Sequence, residues 1–358
     1  MRIINFDKTY NLFDGDNVDI LEKLPVQTYR VVFSKQSGFS LEHTDDLIFD
    51  KDEKVYGNST QKVEKVFKRY NVLTTSLGVM LSGEKGIGKT LFVRQLSDKA
   101  LEMGIPVILV SDAYPGISSY LSKLKQETLI IFDEFEKVFP NDDEQTDREP
   151  QSKLLGLFDG TGTQKHIFAI TVNLLYRVNE FFINRPGRFH FHIRFSFPTS
   201  DEITEYMTDK LLEFDENIIK SVISLSVRQP LNFDCLNAIV FELNQGETLQ
   251  SALEDLNITR ETVKRDVTFV YDDGSSQMTT YDLSLEKEVH LDTYLEEVGD
   301  VVIIEFDLDD AIIKDGKYIA GADILEITYE GGEKAARKKV KSVIIANTRN
   351  DKIGRLVV

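Results

Sequence analysis

The spacing of apolar residues divides the chain into stretches of different periodicity. Near the centre, four short runs are almost continuously apolar, at residues 77–81, 106–110, 128–132 and 166–172. Such runs, when they alternate with helical segments, are typical of a parallel sheet that is covered on both faces. The pattern therefore predicts an α/β domain in this part of the chain.

Helices are predicted between these strands. In residues 58–70 the side chains of Val63, Val66 and Phe67 recur at helical spacing behind a capping asparagine or serine. The same spacing predicts helices over 90–103, 117–125 and 151–158.

The pattern changes twice after residue 198. A capping box, Thr199-Ser200-Asp201-Glu202, opens a helical stretch. Helices are predicted near 200–213, 217–226, 233–244 and 247–256. From Asp266 the alternation has a period of two, which predicts strands. The predicted segments are 1–47 (a short N-terminal segment with a strand at 29–33), 48–198 (α/β), 199–260 (helical) and 261–358 (acidic and β-rich).

Composition narrows the possible functions. The 358 residues include 60 acidic and 42 basic side chains, so the net charge is −18. That balance argues against binding nucleic acid over the whole surface. A single cysteine, Cys235, excludes an internal disulfide and a cysteine-based zinc site. No apolar run approaches the ~18 residues of a membrane span, and the first residues lack a signal segment, which predicts a soluble, cytoplasmic protein.

The strongest chemical signal is the segment Gly83-Glu84-Lys85-Gly86-Ile87-Gly88-Lys89-Thr90. It follows a predicted strand and precedes a predicted helix, which is the context of a phosphate-binding loop. Backbone amides there can surround a polyphosphate at the helix N-terminus. Lys89 would reach the β- and γ-phosphates of ATP, and the Thr90 hydroxyl would bind Mg²⁺.

Three further signals follow strand ends or a turn. Asp133 and Glu134 end a buried strand, where Asp133 would bind Mg²⁺ and Glu134 would act as general base. Asn173 ends another strand and could orient the attacking water, although an asparagine there is usually a turn former. Arg185 and Arg188 flank a Pro-Gly turn; guanidinium groups suit γ-phosphate charge, but a solvated basic loop is the simpler interpretation of that segment alone.

Together, in this order, these residues resemble the AAA family of the AAA+ ATPases. The resemblance spans about residues 48–258 and implies a P-loop parallel sheet with a helical lid, which is the AAA+ module. It implies that Tyr56 and Gly57 lie near the adenine and that Gly83, Gly86, Ile87, Gly88, Lys89, Thr90 and Leu91 bind ATP. Within the family the chain looks similar to small proteins encoded by bacteriophages and bacteria, which would place it in a bacterial host cytoplasm.

The resemblance also implies a ring, commonly a hexamer, with ATP at subunit boundaries. Arg185 and Arg188 would act on the nucleotide of a neighbour, and Asn173 would be the first sensor. Many relatives thread a protein past an aromatic loop, and Tyr114-Pro115-Gly116 stands in that place. A plain turn with a buried tyrosine is an equal alternative. Many relatives carry a sensor arginine at the start of the lid's third helix, where this chain has Pro230-Leu231-Asn232-Phe233-Asp234-Cys235. Arg228 is nearby but slightly early, which puts a lid contact with the γ-phosphate in doubt.

The sequence thus predicts a Mg-ATP-dependent ATPase that remodels or translocates a protein partner. The alternatives are an ATP-controlled loader or switch associated with DNA or replication proteins, and a scaffold that hydrolyses ATP slowly. Residues 266–333 hold nineteen acids and three bases, whereas 334–358 hold eight bases and one acid. The simpler explanation of the acidic residues is a solvated face of a β domain. The alternative, which assigns them a function, is a docking surface for a basic partner.

Overall fold

The structure is a computed structural model of the chain. It describes residues 2–6, 9–13, 21–45, 47, 54–141, 147–159, 164–183, 187–256, 258, 262–284, 288–295, 300–314, 317–330 and 339–347. The chain divides into two compact units, the first of residues 1–82 and 89–194 and the second of residues 83–88 and 195–358.

The first unit contains a seven-stranded sheet in the order β4-β3-β6-β7-β8-β5-β9. Its strands are β3 (Thr28–Ser34), β4 (Gly38–His43), β5 (Leu77–Ser82), β6 (Val107–Val110), β7 (Leu129–Phe132), β8 (Ile167–Val172) and β9 (Phe191–Arg194), while β1 (Arg2–Phe6) and β2 (Thr9–Phe13) pair separately. Every pairing in the large sheet is parallel except that of β3 with β4. β5, β7 and β8 are buried along their whole length, as continuous apolar strands predict.

The helices of this unit are α1 (Ser59–Val72), α2 (Lys89–Glu102), α3 (Ile117–Leu121), α4 (Phe135–Val138), α5 (Gln151–Phe158) and α6 (Glu180–Ile183). Buried side chains of α1, including Val63, Val66 and Phe67, form one helix face. α3 ends at Leu121, four residues earlier than the sequence predicts. The predicted α/β class with a parallel sheet is confirmed.

The strands β3 and β4 show a difference from the sequence analysis. The sequence predicts a separate segment over residues 1–47, but β3 pairs with β6 in register Thr28↔Val107 to Arg30↔Leu109. The hairpin of β3 and β4 therefore extends the edge of the α/β sheet. Pairing over about 80 residues leaves no local trace in the sequence.

The second unit begins with the helices α7 (Ser200–Lys210), α8 (Glu216–Arg228), α9 (Phe233–Asn244) and α10 (Leu249–Asp255). The capping box at Thr199 is present. The threonine side chain accepts a hydrogen bond from the Glu202 amide, and the glutamate side chain accepts one from the Thr199 amide. Asp215, Asn232 and Thr248 cap the other three helices through their side chains.

Two antiparallel sheets complete the second unit, in the orders β11-β10-β17-β15-β14 and β12-β13-β16. Their strands are β10 (Thr262–Tyr271), β11 (Ser276–Ser284), β12 (Glu288–Leu295), β13 (Asp300–Asp307), β14 (Ile312–Lys314), β15 (Lys317–Gly321), β16 (Glu326–Glu330) and β17 (Val340–Asn347). Val302, Ile304 and Phe306 are buried, as the period of two predicts. None of the helices in the described ranges is long and apolar enough to cross a membrane.

Candidate functional site

The segment 83–88 is a tightly curled loop that follows β5. The φ angles of Gly83, Gly86 and Gly88 are 147°, 73° and 95°, in the region that favours glycine. Ile87 is buried between them. Three left-handed positions among six residues give the curvature that a phosphate-binding loop requires.

The helix α2 begins directly after this loop. Lys89 is its first residue and only 7% exposed, whereas the next residue, Thr90, is exposed. Leu91 is half-buried. Thr90 is thus accessible at the start of the helix, while Lys89 is packed.

Asp133 and Glu134 follow β7, and the side chain of Thr171 in β8 joins them. The Thr171 hydroxyl donates a hydrogen bond to Asp133 Oδ1 at 2.6 Å and accepts one from the Glu134 amide at 2.8 Å. Because β7 and β8 are parallel neighbours, their carboxyl ends meet at one edge of the sheet. The threonine therefore fixes the turn that carries both acids.

Glu134 is held in a left-handed conformation, with φ 46° and ψ 46°. Its Oε1 accepts a hydrogen bond from Asn173 Nδ2 at 3.1 Å and pairs with the ammonium group of Lys137. The Glu134 side chain is 40% exposed. A left-handed backbone in a residue other than glycine is sparsely populated and concentrates at functional sites.

Glu136 is a member of this cluster that the sequence analysis missed. It is 5% exposed, and its Oε1 accepts the amides of Asn173 at 3.1 Å and Leu174 at 3.3 Å. Among the described residues its Oε2 is buried without a hydrogen-bond partner. The only sequence signal is an acid two residues after Glu134. Glu136 holds the backbone of Asn173, whose side chain contacts Glu134.

These residues fit a magnesium site that a nucleotide completes. Asp133 is exposed at the end of a buried strand, and Thr90 is exposed at the start of α2. Within the described ranges, no group of three or more metal-binding side chains lies together. Mg²⁺ usually takes one or two protein oxygens and fills its shell with phosphate oxygens and water.

Arg188 is buried and bonded within its own chain. It is 6% exposed, and its guanidinium pairs with both carboxylate oxygens of Asp159, through Nε to Oδ1 and through Nη2 to Oδ2 at 2.8 Å. Nη1 donates to the carbonyl of Phe181 at 3.0 Å. The hydrogen bonds to Asp159, together with its charge, raise the pKa of Arg188 above its ordinary value.

Within one chain, the guanidinium of Arg188 is thus held by Asp159 and Phe181. Its action on the nucleotide of a neighbour stays a prediction. Arg185 lies outside the described residues, so its role stays a prediction.

Tyr114, the predicted pore-loop residue, is half-buried in an aromatic cluster. Its ring centroid lies 5.2 Å from that of Phe33 and 6.4 Å from that of Phe39, both in the hairpin of β3 and β4. The carboxylate of Glu149 accepts the Gly116 amide at 2.8 Å. Pro115 is exposed. The structure thus packs Tyr114 against its own chain, and its role in a pore loop stays a prediction.

Tyr56 and Gly57 precede α1. Tyr56 is half-buried, with the ammonium of Lys54 5.3 Å from its ring centroid. Gly57 has a φ of 76°. Their predicted position near an adenine stays a prediction.

Comparisons with known proteins point to one family. Residues 79–197 match the sequence model of the family described as ATPase family associated with various cellular activities (AAA). This match supports an AAA-family ATPase. It covers β5 from Val79 onward, the loop 83–88, and both acids after β7. The match ends near the start of the helical segment.

Among solved structures, the chain is similar to the Aeropyrum pernix Orc1 protein in complex with DNA. The identity is 14% and the TM-score is 0.42, over 56% of this chain and 66% of that protein. The matched part is therefore slightly less than two thirds of that protein. A similarity of this size says nothing of what the present chain binds. No curated protein matches the chain.

Proposed function

We propose that this protein is a Mg²⁺-dependent ATP hydrolase of the AAA type. The observation that carries the proposal is the hydrogen-bonded cluster of Asp133, Glu134, Thr171 and Asn173 at the carboxyl edge of the sheet. β5, which leads into the loop 83–88, is the other neighbour of β8 at that edge. The AAA match over residues 79–197 agrees with it.

Each side chain has a proposed role in the hydrolysis. The loop amides and Lys89 would bind the phosphates, and Thr90 and Asp133 would bind Mg²⁺, which neutralises phosphate charge when it is present. Glu134 would accept a proton from the attacking water. Asn173 is bonded to the carboxylate of Glu134 and would fix the direction in which this carboxylate points.

ATP turnover by the full chain tests this proposal. Wild-type protein is expected to release phosphate from Mg-ATP, and Lys89→Ala is expected to lose both ATP binding and turnover. Asp133→Asn is expected to retain ATP binding but to lose turnover at the Mg²⁺ concentration that supports turnover by the wild type. Turnover that is unchanged in Lys89→Ala would contradict the assignment of the loop.

A ring with ATP at subunit boundaries is the second part of the proposal. It rests on the AAA resemblance, with Arg185 as the arginine that would reach a neighbouring nucleotide. Specific turnover is then expected to rise with protein concentration, together with an ATP-dependent increase in mass by light scattering. Constant specific turnover of a monomer would reject this part and leave the ATPase itself intact.

The proposed work of this ring is the remodelling or translocation of a protein in the cytoplasm. Its substrate would contact Tyr114 or the acidic C-terminal sheets. For Tyr114 to reach a substrate, its ring must leave Phe33 and Phe39. Tyr114→Ala is expected to keep ATP turnover and to lose substrate-stimulated turnover. A pull-down with Glu134→Gln from the native cell is expected to retain the substrate.

Control of assembly on DNA is the alternative that the charge argues against. Filter binding at two salt concentrations separates the two functions. Strong salt dependence with DNA-stimulated turnover would favour the alternative, whereas the absence of both supports protein remodelling.

A further inference from the structure

The start of α9 is bonded to the loop 83–88, and both belong to the second compact unit. Asn232 Nδ2 donates a hydrogen bond to the Lys85 carbonyl at 3.1 Å. The Phe233 amide donates to the Gly86 carbonyl at 3.0 Å. Two successive carbonyls of the loop are thus held by two successive residues of the helical segment.

Asn232 also caps α9 with the other end of its amide. Its Oδ1 accepts the amide of Cys235 at 2.7 Å, as an N-cap residue does. With Oδ1 bonded to the helix, Nδ2 is directed to the loop. An amide side chain carries the acceptor and the donor that these two bonds need, whereas a carboxylate supplies the acceptor alone.

The shape of the loop supports the same contact independently. A Cβ atom at Gly86 would lie 2.5 Å from Asp234 Oδ2 and 2.6 Å from Asn232 Nδ2. A larger residue here would displace the side chains of Asn232 and Asp234, and the φ of 73° itself favours glycine.

The two bonds have a consequence for the loop amides. In a trans peptide the C=O and N–H groups point in opposite directions. When the Lys85 and Gly86 carbonyls are fixed toward α9, the amides of Gly86 and Ile87 are fixed away from it. These are amides of the segment that is proposed to surround the phosphates.

We propose that Asn232 is a positioning residue that preorganises the phosphate-binding loop through the Lys85 carbonyl. The inference rests on the proposed ATP binding. Residues 229–235 contain no arginine, so this segment acts on the backbone of the loop and supplies no guanidinium to a phosphate. Its effect is on nucleotide affinity more than on the chemical step.

Two substitutions separate this role from capping. Asn232→Ser and Asn232→Asp both keep an oxygen that can cap α9. The serine side chain is too short for the bond to Lys85, and the aspartate lacks a donor. The aspartate alone adds charge, so an effect shared by both variants comes from the lost bond.

The expected result is a dissociation constant for a fluorescent ATP analogue that rises about 2- to 10-fold in both variants, the range of one hydrogen bond. The KM for ATP is expected to rise equally, with kcat changed less than about 2-fold. In nucleotide-free protein, hydrogen exchange of the amides at 85–88 is expected to become faster in both.

Thr248→Ala is the matched control. It removes the N-cap of α10, where the Thr248 hydroxyl accepts the Ser251 amide, without touching the loop. Its affinity and loop exchange are expected to equal those of the wild type.

The outcomes distinguish the two proposals. Wild-type affinity and exchange in both Asn232 variants, in a protein that hydrolyses ATP, would overturn the role of Asn232 and leave the ATPase proposal intact. Equal weakening in Thr248→Ala would also overturn it, because helix stability alone would then explain the effect. A wild-type chain that binds no ATP would overturn both proposals.

Discussion

Glu134 and Arg188 come from the same sequence resemblance, yet they lie in opposite surroundings. Glu134 follows the carboxyl end of the central strand β7, and its side chain is 40% exposed. Arg188 is 6% exposed and bonded to Asp159 and Phe181 within its own unit. A sequence motif therefore predicts which residue type stands at a given position. Whether that side chain is available to a ligand depends on its burial and on its hydrogen bonds.

The difference in exposure between Glu134 and Arg188 follows from the position of each residue in the sheet. Acids after β7 extend from the carboxyl ends of parallel strands, where ligands of open α/β sheets bind. Arg188 precedes a strand that lies beside β5, and the segment around it packs on the core. Its charge is stable there because the carboxylate of Asp159 neutralises it and the carbonyl of Phe181 accepts a hydrogen bond from it.

Arg188→Ala sharpens this comparison with the largest expected effect. Its loss should destabilise the folded chain by about 2–4 kcal/mol, because a buried pair is broken, although the partly exposed Asp159 can be hydrated afterwards. Denaturant unfolding measures it. Asp159→Asn is the matched variant, and a double-mutant cycle should show coupling. A fully stable Arg188→Ala protein with turnover lost by about 10³-fold would instead indicate an arginine that acts in trans.

Glu136→Leu tests the converse case, in which a buried side chain positions an exposed one. Glu136 is buried, and it holds Asn173 beside the partly exposed Glu134. It removes the acceptor of the Asn173 and Leu174 amides, so Asn173 should lose its position beside Glu134. We expect kcat to fall about 10- to 100-fold, with little change in KM. Glu136→Gln keeps one acceptor oxygen and should recover most of the rate. As a control, Gln151→Leu removes the acceptor of the Asn179 amide in the same connecting segment and should lower stability only.

His166 is a buried titratable group of the same sheet that should affect stability alone. Burial lowers its pKa to about 4, against a smaller opposite effect of Glu127. In the unfolded chain the pKa of this histidine is about 6.5. The free energy of unfolding is therefore highest above pH 6.5 and falls as the pH drops from 6.5 to 4, because only the unfolded chain takes up the proton in that range. Unfolding at pH 7 and 5 should differ by about 2 kcal/mol more in the wild type than in His166→Asn. An equal pH dependence in both proteins would contradict this.

Lys137→Met has the smallest expected effect. Its ammonium pairs with Glu134, and both side chains are partly exposed, so the ion pair is worth less than about 1 kcal/mol. Release of the carboxylate should raise turnover by at most about 5-fold. Lys137→Arg, which keeps the charge, should not. A loss of turnover in Lys137→Met would mean that the lysine supports Glu134 instead of restraining it.

Much of the fold could be predicted from local pattern. The buried strands β5, β7 and β8 are continuous apolar runs, and the capping box at Thr199 is a four-residue signal that the structure confirms. The attachment of β3 to β6 could not be predicted, because it depends on pairing across about 80 residues.

The site could be predicted as residue types but not as bonds. Asp133, Glu134 and Asn173 were found because each follows an apolar strand. Glu136 and Asn232 were missed as contributors, since an acid inside a helix and an asparagine before one are common on surfaces and caps. Tyr114 and Arg188 were found, but their partners Phe33 and Asp159 are distant in sequence.

ATP binding and turnover by Glu134→Gln test the central claim most directly. The substitution keeps the size of the side chain and removes the basic carboxylate. Phosphate release should fall by at least about 100-fold, the lower range for loss of a general base, while bound ATP is retained at near wild-type affinity. Turnover at the wild-type rate with ATP bound would contradict the assignment of Glu134 as the base.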